Sequence, residues 1–96
     1  MAVTATRIES INPATEEVLK SFDEFTPQQV DQALAEADGA FREWRCKSFD
    51  ERAAPMRKAA EVLRKHRDEY ARLISLEMGK PIVEAEAEVE KCAWNC

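Results

Sequence analysis

The five residues Glu77-Met78-Gly79-Lys80-Pro81 constrain this chain more than any other stretch. Apolar residues recur at helical spacing before them, from Pro27 to Met78, and again after them, from Ile82 to Cys96. Between these runs, Gly79 can take the left-handed conformation that closes a helix. Pro81 lacks an N–H but fits the first turn of the helix that follows. Lys80 adds a cation beside the unpaired carbonyls of the preceding helix end. The local physics therefore dictates helix, sharp turn, helix. A phosphate-binding reading of Gly79-Lys80 fails, because no strand or glycine-rich loop precedes it and Pro81 stands where a P-loop needs Ser or Thr.

Upstream, the residues from Ile8 to Phe22 are the only β-like part. Ile8 and Ser10 would face one way and Glu9 and Ile11 the other. Val18-Leu19-Lys20-Ser21-Phe22 is a second extended run, and Asn12-Pro13-Ala14-Thr15 carries turn chemistry between them. A hairpin this short is marginal alone and must lie on something else. Thr26, Pro27 and Gln29 form a capping box that opens a first helix, with Val30, Leu34, Ala37, Phe41 and Trp44 on one stripe. Ser48 and Glu51 form a second box, followed by Ala53, Met56, Ala60 and Leu63 on one face. Pro55 lies beyond the first turn of that helix and is expected to distort its first two turns. The polar run Lys65-His66-Arg67-Asp68 marks a break, after which Tyr70, Leu73, Ile74 and Met78 form a third stripe. A fourth stripe holds Ile82, Ala85, Val89, Cys92, Ala93 and Cys96. The expectation is a mainly α chain with an N-terminal β-hairpin and four amphipathic helices: an arm and hairpin over 1–25, and a four-helix segment over 26–96.

Ninety-six residues allow one domain, and a compact fold of this mass buries roughly 65% of its extended-chain surface. The net charge of −5, with charged residues spread along the chain, argues against nucleic-acid binding, which calls for a basic face. No apolar run approaches membrane-spanning length and the N-terminus has no signal-like segment, so the expected compartment is the cytoplasm. Cys46, Cys92 and Cys96 are expected to be reduced thiols behaving as buried small hydrophobes, with Cys92 and Cys96 on the covered stripe of the fourth helix. His66 is read as a solvent-facing junction residue, since no nucleophile stands beside it, and Phe41 and Trp44 as core rather than a stacking platform. On this reading no residue is catalytic, cofactor-binding or metal-binding. Residue patterns alone leave open a free-standing helical module that oligomerises through its apolar stripes.

Asn12-Pro13-Ala14-Thr15, Phe41-x-x-Trp44, Glu51-Arg52-Ala53, Glu77-Met78-Gly79-Lys80-Pro81 and Glu88-Val89 stand in an order and spacing that resemble the N-terminus of the NAD(P)-dependent aldehyde dehydrogenase superfamily. The run Glu88-Val89-Glu90-Lys91-Cys92-Ala93 looks most like its succinate-semialdehyde dehydrogenase branch. Glu16 departs from the pattern, since many members have glycine there. The resemblance implies a fragment of an α/β fold, in which 26–96 forms the incomplete N-terminal part of the cofactor-binding domain. It also implies NAD or NADP as cofactor of the full-length enzyme, with none bound by this segment, and a homo-oligomer as the assembled state. The expected partner is the remainder of the dehydrogenase chain. The family's chemistry uses a cysteine thiolate, an asparagine at the oxyanion and a glutamate base, all in its later parts. None of the three cysteines here matches the nucleophile's motif, so the segment alone is expected to be inactive.

Overall fold

The computed structural model describes residues 7–96, in the order β1 (Arg7–Ile11), β2 (Val18–Asp23), α1 (Pro27–Trp44), α2 (Phe49–Lys65), α3 (Arg67–Met78) and α4 (Ile82–Asn95). The strands pair antiparallel, with Ile8 opposite Phe22 and Ser10 opposite Lys20. Ile11 then pairs with Val18, so Leu19 is an extra residue on β2 that shifts the register. Asn12 closes the connecting loop. Its N–H donates to Glu17 O at 2.9 Å, its carbonyl accepts from Glu16 N at 2.8 Å, and its side chain accepts from Ala14 N at 2.9 Å. This geometry drives Glu16 to φ 63, a left-handed conformation in which a Cβ costs roughly 1–2 kcal/mol. Glycine at that place in the resembling family therefore has a physical reason. Glu16→Gly is expected to stabilise the hairpin by about 0.5–1 kcal/mol, net of glycine's larger unfolded-state entropy. Slower amide exchange at Asn12 and Glu16 would show it, and faster exchange would refute it.

Both capping boxes form: Thr26 and Ser48 each accept from the backbone N–H three residues on, while Gln29 and Glu51 accept from the cap N–H groups. Their strength explains why α2 starts at Phe49 and passes through Pro55 without interruption. Pro55 is exposed, so water can serve the Glu51 carbonyl that its missing N–H leaves unpaired. The expected distortion does not break the helix. His66 is the break between α2 and α3, serving as the last cap of one and the first of the next. It is half-exposed, pairs through Nδ1 with Glu69 at 3.3 Å, and has the Tyr70 ring beside it. Gly79 closes α3 at φ 70, its N–H donating to Ser75 O. Gly79→Val is expected to destabilise this turn by roughly 1–3 kcal/mol, because a β-branched side chain opposes the left-handed conformation. A urea titration followed by far-ultraviolet circular dichroism measures it.

The interior is small. α4 packs between α2 and α3, and the buried residues are Ala60, Ala71, Ala85, Val89 and Ala93, with Leu63, Tyr70 and Ile74 partly covered around them. Alanines at this seam let helix backbones approach closely. In α3 it is Ala71 that is buried, while Leu73 and Met78 of the expected stripe remain exposed. The cysteines differ from expectation too: Cys46, Cys92 and Cys96 are all exposed. On α4 the seam runs along Ala85, Val89 and Ala93 at strict steps of four, and Cys92 and Cys96 fall to one side of that line.

The chain forms a plate of 46 × 46 × 14 Å, about one helix diameter thick. Its radius of gyration is 18.1 Å, against about 12–13 Å for a compact domain of this length. The accessible surface is 8283 Å², where a compact monomer of this mass would expose roughly 5,600 Å² and the extended chain roughly 15,800 Å². About half of the extended-chain surface is therefore buried rather than two-thirds. Domains bury their apolar faces between two or three layers, and this plate is a single layer.

Candidate docking surface

Helix α1 contains no buried residue. Val30, Leu34, Phe41 and Trp44, which share its apolar stripe, are each more than two-fifths exposed. Ala37, Ala40, Phe41 and Trp44 line a shallow apolar depression near its C-terminal end. The capping box that starts α1 and the spacing that gathers its stripe are local features, and this face stays open among the described residues. Phe41 and Trp44, expected as core, remain 58% and 41% exposed.

Helix α4 presents a second apolar stripe that the single-stripe reading of the sequence missed. Val83 and Trp94 are 73% and 76% exposed, and with exposed Ala87 they recur at steps of four and seven, on the side away from the Ala85–Ala93 seam. That spacing was the available signal. It was hidden because Glu84, Glu86, Glu88 and Glu90 lie between these residues.

Charged pairs flank α4. Arg64 Nε of α2 donates to Glu90 Oε1 at 3.0 Å, and Lys80 Nζ donates to Glu88 Oε2. The Lys80 ammonium thus turns forward to the next helix rather than resting against the end of α3. The hydrogen bond that Lys80 donates to Glu88, then the charge of Glu88 and that of Glu84, raise the Lys80 pKa above its ordinary value. Lys80 therefore stays charged throughout the neutral range, and what its raised pKa contributes is lost as pH rises through that pKa. Arg52 lies over the Phe49 ring at 4.7 Å, and its Nε is covered without an acceptor.

Cys46 Sγ donates to Arg42 O at 3.4 Å, and no nucleophile–base pair is assembled with Cys92 or Cys96 among the described residues. Those residues hold no group of three or more His, Cys, Asp or Glu placed for a metal ion. No described helix is long and apolar enough to cross a membrane. The two described strands form an antiparallel hairpin, and β2 leads through residues 24–26 into the N-terminus of α1.

Comparison with known proteins gives a consistent result. The family model described as "Aldehyde dehydrogenase family" matches residues 1–96. An aldehyde dehydrogenase of Paenarthrobacter nicotinovorans is 46% identical over 86 residues, which are 90% of this chain and 19% of that protein. A probable succinate-semialdehyde dehydrogenase [NADP(+)] of Synechocystis is 43% identical over 89 residues, 93% of this chain and 20% of that protein. The crystal structure of succinic semialdehyde dehydrogenase from Streptococcus pyogenes, in complex with NADP+, superposes with a TM-score of 0.82 at 38% identity. The match covers 88% of this chain and 19% of that one. The chain spans about a fifth of the length of the curated relatives it matches.

Proposed function

Because the chain belongs to the aldehyde dehydrogenase family, we propose that it is the N-terminal portion of a dehydrogenase that oxidises succinic semialdehyde to the carboxylic acid with NADP+. Residues 1–25 are its arm and hairpin, and 26–96 the first helical layer of its cofactor-binding domain. The substrate and cofactor follow from relatives named succinate-semialdehyde dehydrogenase [NADP(+)] and from the solved relative that holds NADP+. In this reading the chain's own residues do no chemistry. They present the α1 stripe and the Val83/Trp94 stripe to the remainder of the dehydrogenase chain, which brings the cofactor site, the nucleophile and the base. The assembled enzyme is a cytoplasmic homo-oligomer.

One observation carries this reading: a single layer of helices, matching a fifth of a solved dehydrogenase, leaves uncovered the apolar faces that a second layer would bury. Surface in excess of a compact monomer is of order 2,000–3,000 Å², more than the roughly 1,600 Å² of a standard protein–protein interface. The reading frame tests the parent enzyme. A glycine-rich nucleotide loop and a catalytic cysteine encoded beyond Cys96 support it, and a frame that closes without them overturns it. A chimera tests the docking role, with this chain replacing the matching segment of the streptococcal enzyme. The chimera should assemble and reduce NADP+, and Phe41→Asp with Trp44→Asp should abolish assembly. Unchanged assembly of that double variant would remove α1 from the interface.

A further inference from the structure

We propose that the α3–α4 turn is the socket that seats the hairpin, and that Gly79 serves it in two separable ways, by its left-handed backbone and by the empty space above its Cα. The first requirement alone would admit asparagine, which tolerates this conformation. The second opposes it, because Pro13 would have to shift by a few tenths of an ångström. A Cβ on Gly79 would lie 3.2 Å from Pro13 Cγ, whereas one on Gly39 would meet nothing within 4 Å. Pro13 is held in place by the loop around it, where Asn12 accepts from Ala14 N through its side chain and exchanges backbone bonds with Glu16 and Glu17. Two residues before the glycine, Glu77 Oε1 accepts from Ser10 Oγ at 2.6 Å across 67 residues of sequence. Lys80, one residue after it, is tied to Glu88 of α4. Along the strands every described residue is exposed except half-buried Ser10, so the seat is the loop and Ser10, not a strand face. The turn thus joins three parts of the chain, and its glycine is where the hairpin loop touches down.

A double-mutant cycle on the 96-residue chain separates the two roles. Gly79→Asn should leave the helical circular dichroism near wild type, yet remove the nuclear Overhauser contact between the Pro13 ring and residue 79. It should also speed amide exchange at Asn12 and Glu16 about tenfold. Pro13→Ala removes the Cγ atom, so Pro13→Ala with Gly79→Asn should recover most of that protection. Ser10→Ala should speed the same exchange without touching the turn. The socket is refuted if Gly79→Asn exchanges like wild type, if Pro13→Ala does not relieve the asparagine, or if the wild-type amides are unprotected. Loss of α3–α4 helicity in Gly79→Asn would show that backbone conformation is the glycine's sole contribution.

Discussion

Incubated with succinic semialdehyde and either nicotinamide cofactor, the 96-residue chain is expected to give no reduced cofactor above background. The family's reaction needs a thiolate that attacks the aldehyde, a donor for the oxyanion and a base for thioester hydrolysis, and such groups together support accelerations of order 10⁶-fold or more. None of the described thiols has that company. Cys46 Sγ donates to a backbone carbonyl of its own helix, and Cys92 and Cys96 are exposed on α4. Among the described residues the two strands form one antiparallel hairpin, with no parallel strand pair joined by a crossover helix. Absorbance of reduced cofactor measures turnover, and a separate titration measures cofactor binding. Turnover that Cys92→Ser or Cys96→Ser abolishes would place the active site inside this chain and overturn the proposed division of labour.

Ala85→Asp is expected to unfold the α2–α4 unit. Ala85 is fully buried where α4 meets its neighbours, and the interior consists of four alanines and one valine. An aspartate there clashes with the close helix approach and brings a charge for which the seam offers no partner. The cost is about 3–5 kcal/mol, which a core this small cannot offset. Ala87→Asp, two residues on and exposed, is the control and should stay within about 0.5 kcal/mol of wild type. Urea titrations of the helical signal compare the two. Equal midpoints would mean that α4 does not pack through Ala85.

The local events are legible in the residues themselves. Thr26 and Ser48 cap with side chains that reach only three residues, the polar run around His66 interrupts the helix, and Asn12 folds its loop onto itself. Gly79 closes a helix through its own backbone freedom, and each of these outcomes is decided within a few residues. Motif order likewise points to the family, because five short patterns in register are specific where each alone is not. The side of each stripe that would be covered was not legible. Periodicity marks an apolar face about 100° wide but not the line within it where a neighbour's backbone comes closest. Packing selected Ala71 over Leu73, and the Ala85–Val89–Ala93 line over Cys92 and Cys96, because small side chains permit close approach. Nor could the sequence by itself show that Glu16 is held left-handed by the bonds of Asn12, or that Pro13 and Ser10 meet the α3–α4 turn from more than sixty residues away. Sequence determined where each element starts, stops and turns, since those signals are short-ranged. Tertiary structure alone decided which faces meet and which remain open on a one-layer plate, since that depends on surfaces brought together from distant parts of the chain.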